Sequence, residues 1–206
     1  IFTSATLTIG KDFSYFMGRV GLNTMDKNRL QLLLLDSPFN FKEQALLVIP
    51  TFLPDPRSPE YPKAVKSFLE TLMREQRRST LVLFTSHALL KDMYESLHLT
   101  FEAEKVNLLA QGITGSRHAL INDFKENPHS FLFGTDSFWE GIDVPGKALE
   151  ILLITKLPFD VPTEPVIQAK AEMIQRMGGN PFMDFTIPEA VIRLRQGFGR
   201  LIRSTT

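Results

Sequence analysis

TLVLFTSHALL, Thr80 to Leu90, contains the turn from strand to helix on which the reading of this chain rests. Leu81 to Phe84 are four apolar residues in a row, too few for a helix and without the alternation of a half-wet strand. They read as a strand, Thr80 to Thr85, buried on both faces. Ser86 then stands where a helix N-cap is wanted, and Leu89, Leu90, Met93 and Leu97 follow at helical spacing as its inward face.

Outward from this unit the same alternation repeats. Apolar runs at Ala45 to Ile49, Val106 to Ala110, Ser130 to Gly134 and Leu149 to Thr155 are expected to be further strands. Between them, Tyr61, Ala64, Val65, Phe68, Leu69, Leu72 and Met73 form one helical stripe, with Ser58 and Pro59 as its expected N-cap and first residue. Ser116 precedes a helix built on Leu120 and Phe124, and Thr163 is expected to start another. Phe39 to Pro59 is proline-rich and reads as a connecting segment, with its apolar run ordered in the sheet. Strands alternating with helices predict an α/β domain of three layers around a mostly parallel sheet.

Composition sets limits on function. The chain has 206 residues, 43% hydrophobic and 22% charged, enough for a sizeable core. Its 23 basic and 23 acidic residues cancel, so any grip on phosphate must be local. The absence of cysteine rules out disulfides and thiolate or iron–sulfur ligands within these residues and suits an intracellular, cytoplasmic protein. The 4 histidines have no metal-ligand spacing. No apolar run approaches the roughly 18 residues of a membrane-spanning helix. A start on Ile1 and an end at Thr206, directly after a basic helix, read as a piece of a longer protein.

That last helix ends in QGFGRLIR, Gln196 to Arg203. At about 100° per residue, Ile187, Ala190, Val191, Leu194, Phe198, Leu201 and Ile202 make one apolar stripe. Gln196, Arg200 and Arg203 fall opposite it, along one line suited to gripping phosphate, although arginines on a wet helix face are commonly just solvated. Gly197 and Gly199 each cost a helix interior about 1 kcal/mol relative to Ala, which implies close approach of another group to the backbone. Thr186 and Glu189 form a T-x-x-E capping box with Pro188 in the first turn.

In open parallel sheets ligands gather beyond the carboxyl ends of the strands. There the chain places Thr85 and Ser86, Gln111 and Gly112, and Gly134, Thr135 and Asp136. Such a row can hold successive phosphates of a nucleic-acid strand, although each member alone could be an ordinary helix cap. GTDSFWEGIDVPG, Gly134 to Gly146, adds Glu140 and Asp143 around Gly141. Those carboxylates could accept from sugar hydroxyls or position a water; the plainer reading is a surface turn over a buried pair, Phe138 and Trp139. A phosphate-binding G-x-x-x-x-G-K-[ST] loop is missing, as is an acidic metal-binding motif of the Walker B kind, so only half of a nucleotide hydrolysis site is present.

These segments resemble the second motor domain of superfamily 2 DNA helicases of the XPD and DinG type, and among them most nearly the DinG type. TSATL (Thr3 to Leu7) is similar to motif III, LVLFTS (Leu81 to Ser86) to motif IV, FWEGID (Phe138 to Asp143) to motif V and QGFGRLIR to motif VI, with KLPFDVPTEP (Lys156 to Pro165) between the last two. The resemblance spans nearly the whole chain. It implies a RecA-like domain over residues 1–206, with 1–44 as a possible crossover from a first motor domain that carries the Walker motifs. ATP with Mg2+ would lie between the two domains, and single-stranded DNA would cross both. Arg200 and Arg203 would contact the ATP phosphates, at least one as an arginine finger, and Gln196 would couple the site to the opposite domain. Glu140, Gly141 and Asp143 would lie near the ribose and the attacking water, while Ser86, Thr135 and Gln111 would contact DNA. Ser4 and Thr6 would link hydrolysis to movement. An iron–sulfur cluster or an exonuclease domain, each found in some relatives of this type, would lie outside this chain. The final strand that the family places after motif VI has no counterpart here.

The leading expectation is therefore half of an ATP-driven DNA helicase or translocase, inactive alone. A non-enzymatic nucleic-acid-binding or docking module, or an ATP-regulated part of a DinG-like exonuclease, stands as the alternative; the balanced charge and the lack of a basic aromatic platform count against a strong autonomous binder. A Rossmann-type oxidoreductase would need a G-x-G-x-x-G turn that this chain lacks.

Overall fold

The structure, a computed structural model, describes residues 1–139, 149–199 and 201. The chain divides into two compact units, one made of Ile1–Pro38 with Pro158–Gln196 and the other of Phe39–Leu157 with Gly197–Thr206.

The second unit holds the sheet. Its strands are β1 (Thr80–Leu83), β2 (Leu108–Ala110), β3 (Phe131–Gly134) and β4 (Ile151–Ile154), all parallel, in the order β2-β3-β1-β4. Thr80 pairs with Phe131 on one side and Ile151 on the other, so the carboxyl ends of the strands share one edge. The runs expected from the sequence at these four places are strands, each trimmed at one or both ends. β1, β2 and β3 are buried and, Thr80 apart, carry no polar side chain because both faces are covered, whereas β4 is half-buried. Val82, Phe84, Ala110, Phe131 and Phe133 join one buried cluster with Tyr61, Val65, Leu69 and Met73 of α3 (Tyr61–Glu75) and Leu90, Met93, Leu97 and Phe101 of α4 (His87–Ala103). Leu81, Leu83, Leu109 and Leu132, also buried, alternate onto the opposite face. There α5 (Arg117–Glu126) packs on β2 and β3 and buries Leu120 and Phe124. A short α6 (Asp136–Trp139) follows β3 directly.

Two expectations for this unit are corrected. Ala45 to Ile49 is not a strand: it follows the short helix α2 (Phe41–Gln44) as irregular chain, with Leu46 86% and Leu47 80% exposed. An apolar run becomes a strand only where a neighbour supplies its hydrogen bonds, and none among the described residues does so here. Ser58 and Pro59 precede α3 without capping it. The Ser58 hydroxyl oxygen accepts from the Glu60 amide at 3.2 Å, and helix begins at Tyr61. Ser86 and Ser116 do cap their helices, accepting from Leu89 N and Ala119 N at 3.3 Å.

The first unit contains α1 (Ser14–Arg19), α7 (Pro165–Arg176) and α8 (Ile187–Phe198) as far as Gln196. Thr163 does not start α7, whose N-cap position is Glu164. α7 ends in a Schellman turn: Gly178 has φ +80°, its amide donates to Gln175 O at 3.0 Å, and the Gly179 amide donates to Ile174 O at 3.0 Å. The expected Thr186–Glu189 capping box is also corrected. Helical backbone begins at Pro181 and passes through a π-helical turn, Phe182–Thr186, into α8. The cap is Asn180, whose side-chain oxygen accepts from Phe182 N (3.0 Å) and Met183 N (3.2 Å), while Asp184 accepts from Asn180 N at 2.7 Å. The Thr186 hydroxyl instead donates back to Pro181 O at 3.3 Å. Among the described residues no helix is long and apolar enough to cross a membrane.

Candidate functional site

In the second unit the polar row predicted beyond the strands is present at the carboxyl edge of the sheet and is internally bonded. Gln111 follows β2, and its side-chain oxygen accepts from Thr135 N at 2.7 Å and from the Thr135 hydroxyl at 3.2 Å. The Thr135 oxygen also lies 2.9 Å from His87 Nε2. Proton counting orients this chain. An amide oxygen only accepts, so the single Thr135 proton points to Gln111, and His87 must donate through Nε2–H. Thr135 is 1% exposed, so its amide and hydroxyl are used inside the network, which joins the ends of three strands. Ser86 and His87 are exposed at the start of α4, and Gln111 is half-buried. Sequence reasoning missed His87, for which the only signal was its place directly after the Ser86 cap.

Beside this edge the predicted aromatic pair is buried. The Trp139 indole N–H donates to Phe84 O at 3.2 Å, at the end of β1. A Cβ on Gly134 would lie 2.5 Å from Phe138 Cβ, so glycine is what lets α6 fold back on β3. A Cβ on Gly197 would lie 2.9 Å from Trp139 Cε3, which identifies the group whose close approach that helix glycine implied. The Arg117 guanidinium sits over the Phe138 ring at 5.8 Å. Glu140, Gly141 and Asp143, and likewise Arg200 and Arg203, lie outside the described residues.

The first unit carries Ser4, Thr6 and Gln196. The Ser4 hydroxyl oxygen accepts from Thr6 N at 3.1 Å and lies 3.2 Å from Thr6 Oγ1, closing a local turn. Two residues on, the carbonyl of buried Thr8 accepts from the Arg195 guanidinium at 2.5 Å. Glu189 of α8 accepts from both the Tyr15 hydroxyl and Arg19 of α1. Burial first, and Glu189 second, push the Tyr15 phenol well above its ordinary range. Asp12 accepts from the Ser14 hydroxyl (2.6 Å) and amide (2.8 Å), which lower its carboxyl pKa. Arg193 pairs with Asp160 at 2.5 Å. Gln196 does not stand on an open wet face: its side-chain oxygen is buried and has no hydrogen-bond partner among the described residues. A buried acceptor left unpaired costs about 1–3 kcal/mol, a penalty that a bound donor would relieve. Among the described residues no group of three acidic, His or Cys side chains could hold a metal ion.

Comparison with known proteins agrees with this architecture. The protein family described as Helicase C-terminal domain matches residues 69–206. The chain is 41% identical over 206 residues to the ATP-dependent DNA helicase YoaA of Haemophilus influenzae, covering 100% of this chain and 31% of the relative. It is 42% identical over 208 residues to the ATP-dependent DNA helicase DinG of Photobacterium profundum, covering 98% and 29%. Against the 3'-5' exonuclease DinG of Bacillus subtilis the identity is 38% over 208 residues, covering 99% and 22%. The chain thus spans less than a third of the length of these relatives. A RecA-like parallel sheet and likeness to DinG and YoaA over the whole chain lead to one conclusion: this chain belongs to the helicase C-terminal domain family and is a domain of the DinG type.

Proposed function

We propose that this chain is the second motor domain of an ATP-dependent DNA helicase or translocase, working against a first motor domain of the same polypeptide. The observation that carries the reading is that relatives named ATP-dependent DNA helicases match 98–100% of the chain at 37–42% identity. Arg200 and Arg203 contact the phosphates of ATP held by the first domain, and at least one acts as an arginine finger. ATP with Mg2+ supplies the phosphoryl group whose transfer drives the motor. The arginines neutralise negative charge that grows on the transferred group, an effect worth about 10³–10⁵ in rate. Gln196, with its buried unpaired oxygen, receives a donor when the two domains close. Glu140, Gly141 and Asp143 hold the ribose and the attacking water.

Single-stranded DNA runs over the carboxyl edge of the sheet. Ser86 and Gln111 contact its phosphates there, and Thr135, buried between Gln111 and His87, acts by fixing the rim on which the strand rests. Ser4 and Thr6 couple hydrolysis to movement. A DNA substrate puts this work in the cytoplasm. In the full-length protein, Arg203→Ala should lower DNA-stimulated ATP turnover by at least about a hundredfold and change single-strand affinity by less than about twofold, because distant contacts act independently. Unchanged turnover in both Arg200→Ala and Arg203→Ala would overturn the assignment. The Bacillus subtilis relative, named an exonuclease, favours a second reading in which the same domain regulates a nuclease. ATP-dependent DNA degradation in place of unwinding would select it.

A further inference from the structure

The first unit contains a closed loop of side-chain contacts. α8 holds the amino-terminal segment at two heights: Glu189 takes the Tyr15 hydroxyl and Arg19 of α1, and Arg195 takes the carbonyl of Thr8. Six residues of helix separate the two grips, about 9 Å along the axis. Between them the backbone is itself bonded. Ile9 and Asp12 exchange amide–carbonyl bonds at 3.0 and 3.1 Å around Gly10, whose φ is +64°, and the Asp12 carboxylate accepts from the amide of Ser14, the first residue of α1. On the other side of Thr8 lies the Ser4–Thr6 turn, closed by its own hydrogen bond. A segment bonded in this way moves with the helix that holds it.

Arg195 has a specific place in this loop. It immediately precedes Gln196, the residue of α8 whose buried oxygen lacks a donor. Its partner is a main-chain carbonyl at a residue only 4% exposed. A charged donor on a buried carbonyl is among the stronger hydrogen bonds a protein makes. We infer that Arg195 is a positioning residue that ties the Ser4–Thr6 turn to α8, so that a shift of the helix at Gln196 is passed to that turn within one residue of sequence. It touches neither nucleotide nor DNA; its work is to keep ATP consumption and strand movement in step. The inference rests on the motor reading above for its purpose, while the tether itself can be tested without that reading.

The experiment uses the full-length protein with Arg195→Ala, Arg195→Lys and, as an independent break in the same loop, Glu189→Gln. Hydrogen exchange over residues 4–12 tests the tether. Arg195→Ala should accelerate exchange there by about tenfold or more, since a charge-assisted bond is lost, and Lys, which still donates, should restore most of the protection. Unchanged exchange overturns the tether. The number of ATP molecules hydrolysed per base pair unwound tests its purpose. That ratio should rise several-fold in Arg195→Ala and in Glu189→Gln while the KM for ATP stays near wild type, with the Lys variant close to normal. A wild-type ratio in Arg195→Ala overturns the coupling role, as does a proportional fall of turnover and unwinding. A parent protein without DNA-stimulated ATP hydrolysis would overturn the motor reading, and the exchange result would still decide the tether.

Discussion

Replacing Gly197 by alanine sets two physical effects against each other. Helix propensity favours the change by about 1 kcal/mol at an interior position, and by less here because α8 ends at the next residue, Phe198. Packing opposes it. The new Cβ would lie 2.9 Å from Trp139 Cε3, 3.0 Å from Cζ3 and 3.5 Å from Leu83 Cδ1, so the indole must retreat by about half an ångström to reach ordinary contact. It has little room to do so: Trp139 is 3% exposed, and its N–H is held by Phe84 O at 3.2 Å. Overpacking of this kind costs about 1–3 kcal/mol, and a weakened indole hydrogen bond adds up to about 1 kcal/mol. The expected net effect is a destabilisation of about 1–2 kcal/mol, or roughly 3–6 °C in Tm for a chain of this size. Urea unfolding followed by the fluorescence of Trp139, the chain's 1 tryptophan, measures it. Gly18→Ala in α1 is the control, because open space surrounds Gly18. There, propensity alone should act and stability should hold or rise by a few tenths of a kcal/mol. If Gly197→Ala proves as stable as the parent or more so, the packing reasoning is wrong.

Two further outcomes follow from particular contacts. Asn180→Ala removes the acceptor for two first-turn amides and should cost about 1 kcal/mol in urea unfolding, whereas Thr186→Ala, which loses only a long back-bond, should cost less than about 0.5 kcal/mol; equal costs would return the cap to Thr186. Tyr61 is raised by burial above the ordinary phenol value of 10.0, and Tyr15 is raised further by burial and by Glu189. Both are neutral where the fold is most stable, so their contribution is complete below about pH 10 and is lost as pH climbs through the folded values. Tyr61→Phe and Tyr15→Phe should each flatten the decline of stability above about pH 10, and an unchanged pH profile in both variants would refute this.

Of the five runs the sequence predicted as strands, the four that are strands are those with neighbours to pair with. Thr80–Leu83 and Phe131–Gly134 are legible because a strand covered on both faces reads as a near-continuous apolar run. Ala45 to Ile49 is as apolar and has no strand partner among the described residues, a difference that composition does not register. Thr186 and Glu189 matched a capping pattern, yet Glu189 is taken by Tyr15 and Arg19, 174 and 170 positions away. Asn180–Pro181 was an equally local signal, and in the structure it is the one used. At the site, Ser86, Gln111 and Thr135 were found from their place after the strands, but only the fold revealed that Thr135 lies beneath its neighbours and that His87 completes their network. Arg195 carried no signal of its own, since nothing in a basic residue on a helix announces a carbonyl at residue 8 as its partner.

The sequence by itself determined the alternation of strand and helix, the faces that α3, α4 and α5 bury, the family, and the need for a group to press on Gly197, because periodicity and backbone cost are local properties. Tertiary structure alone decided that the group is Trp139, that the cap is Asn180, that Gln196 hides an unpaired oxygen and that Arg195 holds Thr8. Each of those facts depends on which distant atom fills a hydrogen bond or a space, and that is settled only when the chain closes on itself.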